Sequence, residues 1–85
     1  MDSHAAAGDV DFSGLVLGFC SPALSYMGFG PEKVSKNLTL ARQNIDILDI
    51  LYQKTLGNLT AEEAKLIEEV IHDLKLRYVE VTSNP

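Results

Sequence analysis

The 85-residue chain holds one cysteine, no tryptophan, and seven Lys and Arg against twelve Asp and Glu. Each shortage excludes something. With Cys20 alone there is no disulfide framework, and a lone cysteine suits a reducing compartment, so a cytoplasmic location is expected. A formal charge of -5 leaves no basic patch for phosphates, and nucleic acid is not expected as a partner. The start, Met1-Asp2-Ser3-His4, lacks the basic residues of a secretory signal, and neither Asp2 nor the closing Ser83-Asn84-Pro85 fits a lipid anchor. Gly28-x-Gly30 runs into Pro31 without the strand, third glycine and lysine of a phosphate loop, so it reads as a turn. A domain of this length buries only roughly 60% of the surface its unfolded chain exposes, which makes stability in isolation a concern.

What is present is helical periodicity. Residues 1–10 carry no apolar period and are expected to form a disordered leader, followed by one all-α domain over 11–81 and a disordered tail over 82–85. The strongest signal is an antiparallel hairpin of two helices, at about 38–56 and 61–79. Asn37 is a plausible cap for the first of these, because its side-chain oxygen can accept from an orphan amide. Gly57 ends that helix, since glycine takes a left-handed backbone without penalty, and Thr60-Ala61-Glu62-Glu63 opens the next as a capping box. So short a connection favours antiparallel neighbours.

The first hairpin helix has apolar residues on two rows. Leu38, Ala41, Ile45, Leu48 and Tyr52 form a seam, while Leu40, Ile47 and Leu51 lie beside it. Thr39, Arg42, Asp46, Asp49 and Gln53 fill the polar strip. Such a helix touches two neighbours. Asn44 projects into the apolar arc and reads either as a register-setting amide or, more simply, as an edge amide bonded to water. In the following helix Ala64, Ile67, Val70, Ile71, Leu74 and Tyr78 share one face, with Leu76 and Val79 off it.

A further helix is expected at about 12–28, capped by Asp11 or Ser13 and stopped by Gly28-Phe29-Gly30-Pro31, with a kink or break at Pro22. It has no charged residue from Phe12 through Pro31, and Gly14-x-x-x-Gly18 suits close helix approach in a bilayer. Against a membrane span stand its serines, Pro22 and glycines, with strong apolarity confined to Leu15–Cys20. In a water-soluble protein, a helix without a polar face requires cover on several sides, and one hairpin supplies only one. Completion as a homo-oligomeric helical bundle, a homodimer or larger, is therefore expected. The predicted interface comprises Gly14, Leu15, Gly18, Phe19, Leu40, Asn44, Ile47 and Leu51, and another protein would fit the same surface.

Leu40-Ala41-Arg42-Gln43, Ile45-Asp46, Lys54-Thr55, Gly57-Asn58-Leu59-Thr60, Glu63 and Asp73-Leu74-Lys75-Leu76-Arg77-Tyr78-Val79-Glu80, with Phe12-Ser13 ahead of them, carry a resemblance. The chain resembles a family of small bacterial proteins catalogued as domain of unknown function eighteen-forty-four. The resemblance implies a bacterial, cytoplasmic, all-helical protein and brings no catalytic residues.

Chemical sites are sparse. Glu69-x-x-His72 has the spacing of half a di-metal carboxylate motif, for which Asp46 and Asp49 would be the extra ligands, yet helical phase turns Glu69 and His72 toward solvent. Cys20 has no basic partner nearby in sequence and reads as packing. Asp73 with Arg77 and Arg42 with Asp46 are surface pairs. No cofactor and no catalysis are expected. The leading expectation is a non-catalytic homo-oligomeric interaction module; the alternative is binding of an apolar ligand or membrane surface through the N-terminal helix, and the third is a carboxylate/His metal site.

Overall fold

A computed structural model describes residues 10–29 and 36–83 as three helices, with no strand among the described residues. These are α1 (Phe12–Met27), α2 (Leu38–Thr55) and α3 (Ala61–Ser83). Apart from Val10 the expected leader, and with it residues 84–85, lies outside the described residues.

Local chemistry sets the helix ends. Asp11 accepts from the Gly14 amide at 2.8 Å and Asn37 from the Leu40 amide at 3.0 Å, so each side chain satisfies a donor that its helix cannot. Thr60 and Glu63 cap α3 reciprocally, at 3.0 and 2.9 Å. Gly57 has φ 87°, the left-handed turn that frees α2 to reverse. At the end of α1, Gly28 (φ 96°) donates to the Ser25 carbonyl and Phe29 to the Leu24 carbonyl, a Schellman arrangement.

Two expectations need correction. Pro22 does not break α1, which runs without interruption through it. Proline removes the donor that would serve the Gly18 carbonyl, and Gly18 is exposed, so water can take that place. In α3 the helix passes Val79 and reaches Ser83, which takes Thr82 and Ser83 out of the expected tail. Half-buried Val81 packs against the core, and the Thr82 hydroxyl donates to the Tyr78 carbonyl at 2.8 Å.

All three helices touch one another, so α1 lies against both arms of the hairpin rather than one. The core is Val16, Ala23 and Met27 from α1, Ala41, Ile45 and Leu48 from α2, and Ile67, Ile71 and Leu74 from α3. Ala23 and Ala41 are fully buried, and the Asn37 amide donates to the Tyr26 carbonyl at 2.9 Å, joining the end of α1 to the start of α2. Along the other seam Lys75 meets Asp49 at 3.0 Å and the Tyr52 hydroxyl donates to Glu68 at 2.7 Å.

Candidate functional site

The core occupies one side of each helix and leaves apolar surface behind. On α1, Phe19 and Tyr26 lie to one side of the Val16–Ala23–Met27 line and Cys20 and Leu24 to the other, by helical phase. Asp73 and Arg77 act on the Cys20 thiol, so the Cys20 side is the α3 side and the Phe19 side borders α2. Gly14, Leu15 and Gly18 continue outward from Phe19. On α2, Asp49 marks the α3 side through Lys75. Leu40, Asn44, Ile47 and Leu51 fall on the opposite flank, which borders α1.

By helical phase Leu15 and Phe19 on α1 and Leu40, Asn44, Ile47 and Leu51 on α2 flank the seam between the two helices, while Gly14 and Gly18 sit nearly opposite Val16, toward the outer side of α1. Their exposure is uneven. Leu15 is 41% exposed and Ile47 39%. Gly14 and Gly18 are exposed, whereas Phe19, Leu40, Asn44 and Leu51 are half-buried. Phe19 and Leu51 have already committed part of their surface to the core. A groove of about 410 Å³ lies along the start of α1, lined by Val10, Asp11, Gly14, Leu15, Gly18 and Phe19. Nothing stands within 4 Å of where a Cβ on Gly18 would project, so the groove floor is open backbone.

Asn44 is half-buried on this flank of α2. Its side-chain amide donates to the Leu40 carbonyl at 2.9 Å, one turn back, which satisfies one donor inside the helix. The remaining amide groups sit at the edge of the face.

Elsewhere the surface holds charge in pairs. Arg42 lies 3.9 Å from Asp46, and Arg77 Nε 2.8 Å from Asp73. A second groove, about 380 Å³, runs between α2 and α3 past Arg42, Asp46, Asp49, Lys75, Tyr78 and Val79. Asp46 and Asp49 thus face cations rather than a metal position. Glu69 and His72 are exposed, and among the described residues no group of three His, Cys, Asp or Glu side chains could hold a metal ion. Cys20 is half-buried. Burial first, then the Asp73 charge, raises its thiol pKa, against a smaller lowering by Arg77, so the reactive thiolate is disfavoured.

Three contacts escaped the sequence reading: Tyr52 with Glu68, Lys75 with Asp49, and the Arg77 guanidinium 5.0 Å from the Phe29 ring centroid. All three join different helices or their caps, and local spacing carries no signal for them. Leu76 and Val79, off the main face of α3, are 54% and 58% exposed. No helix among the described residues is long and apolar enough to cross a membrane.

No curated protein and no solved structure matches the chain. The family described as Domain of unknown function (DUF1844) matches residues 9–80, a span that includes α1, α2 and all but the last turn of α3. The protein belongs to that family.

Proposed function

We propose that the protein is a non-catalytic, cytoplasmic, homo-oligomeric helical interaction module that associates through the α1–α2 face. The observation that carries this reading is the exposure of Leu15 on α1 and Ile47 on α2, with half-buried Phe19, Leu40 and Leu51, on flanks of the two helices that hold no charged residue. Contiguous apolar surface on a small domain marks a place where something else packs. Surface charges held in pairs and a Cys20 thiol whose pKa is raised by burial fit binding better than catalysis. Light scattering at micromolar concentration tests the reading. A mass of two or more chains is expected, and Leu15→Glu with Ile47→Glu should return it to one chain while helix content stays. A one-chain mass for the unmodified protein overturns it.

The groove at the start of α1 favours one other reading, binding of an apolar ligand or a membrane surface. Flotation with liposomes of mixed neutral and anionic lipid separates the two, because a self-associating module stays with the unbound fraction.

A further inference from the structure

We infer that the α1–α2 face receives a second copy of this chain across a two-fold axis, with the two α1 helices antiparallel. The inference rests on the self-association reading and adds the number, face and orientation. Area decides how much of the face is used. Helix α1, 16 residues long, extends about 24 Å, and a strip about 10 Å wide along it would bury only ~500 Å² over two copies. A stable interface needs roughly 1,000 Å² or more. Adding the strip on 18-residue α2 brings the total to ~1,000 Å², so both helices must take part. A repeated unit that closes on itself does so most simply by a two-fold axis.

Charge decides the face and the orientation. Two copies that each carry -5 repel most where acidic side chains meet. From Phe12 to Phe29 α1 has no charged residue, and Leu40, Asn44, Ile47 and Leu51 on α2 are uncharged, so this face brings two copies together without a like-charge contact. The charges sit at its ends. Asp11 caps the start of α1, while Lys36 lies beside Gly28 at the other end, its Cε 3.9 Å from where a Gly28 Cβ would project. Parallel α1 helices would set Asp11 against its own copy. Antiparallel helices set each Asp11 toward the Lys36 end of the other chain, and each positive helix start toward a negative helix end. Open backbone at Gly18, near the middle of α1, allows the close crossing this requires.

Spin-label distance measurements on the full chain test this. In a Cys20→Ala background, Ser21→Cys places a label near the centre of α1, and Val10→Cys places one at its start, with Leu76→Cys as a control on α3. Ser21 on α1 and Val10 just ahead of it are both exposed. The expected result is a two-chain mass, a short inter-label distance at position 21 and one longer by about 15 Å at position 10. Equal short distances at 10 and 21 mean parallel helices and overturn the inference. A two-chain mass with the shortest distance at position 76 places the dimer on α3; it overturns the inference and leaves self-association standing. A one-chain mass overturns both.

Discussion

Arg77 holds two partners from two directions: its Nε donates to Asp73 at 2.8 Å, and its guanidinium carbon lies 5.0 Å from the ring centroid of Phe29. Asp73 precedes Arg77 by one helical turn and aims the side chain, whereas Phe29 belongs to the cap of α1. The relationship ties the end of α1 to α3. A flat cation over the face of an aromatic ring is attracted by the ring quadrupole, and Arg also stacks where Lys would not. Phe29→Leu and Arg77→Gln should each lower the melting temperature by a few degrees, with the double variant losing less than the sum. Strict additivity in a thermal unfolding series would show that the two side chains do not interact.

Core position matters more than apolar character. Leu48 is fully buried between the three helices, and Leu48→Ala should cost about 2–5 kcal/mol of unfolding free energy through lost transfer and a cavity. Ile50, on the same helix, is 59% exposed, and Ile50→Ala should change stability by about 0.5 kcal/mol or less. Urea unfolding at fixed protein concentration checks the contrast.

Two glycines should respond with opposite sign. A Cβ at Gly57 meets nothing within 4 Å, but φ is 87°, so Gly57→Ala should destabilise by roughly 1–2 kcal/mol through the backbone alone. At Gly18 the space is equally open and the residue is helical, so Gly18→Ala should stabilise the single chain by roughly 0.5–1 kcal/mol. Denaturation at dilutions where one-chain species dominate gives both values.

Removing one half of the capping box tests the start of α3. Thr60 accepts from the Glu63 amide at 3.0 Å, and Thr60→Ala should cost about 1 kcal/mol, with Thr60→Ser restoring most of it. Loss of equal size in the serine variant would argue that the threonine methyl, rather than the hydroxyl, holds the turn.

Tyr52 should make stability fall at high pH. Its hydroxyl donates to Glu68 at 2.7 Å, and that bond, followed by desolvation and the Glu68 charge, raises the phenol pKa above its ordinary value. The folded state therefore keeps the proton more tightly than the unfolded state. Its contribution is fully present below the unfolded pKa of about 10 and is lost as pH rises through the higher folded value. Phenolate absorbance should show Tyr52 ionising late, and Glu68→Gln should move it back toward the ordinary range. An unchanged titration in that variant would assign the shift to something other than the carboxylate.

The helices, their caps and the inward rows were legible in the sequence because each is decided within a few residues. Asp11, Asn37 and the Thr60–Glu63 pair meet amides three positions away, and the seam Ala41, Ile45 and Leu48 follows directly from 3.6 residues per turn. The family was legible as well, and its match spans residues 9–80. Pro22 does not end α1, because the Gly18 carbonyl it orphans is open to solvent, and the exposure of Gly18 depends on how α1 is laid down.

By itself the sequence determined three helices, where they begin, how the hairpin reverses, and that one chain carries more apolar surface than a hairpin can cover. Only the tertiary structure decided that α1 lies against both arms, that Val16, Ala23 and Met27 are its inward residues while Leu15 and Leu17 stay exposed, and that Tyr52, Asp49 and Phe29 find partners on α3. The physical reason is range. A cap or a helical turn is settled by neighbours in sequence, whereas an all-apolar helix offers no polar side to orient it, and its facing is chosen by the shapes of the two helices it meets.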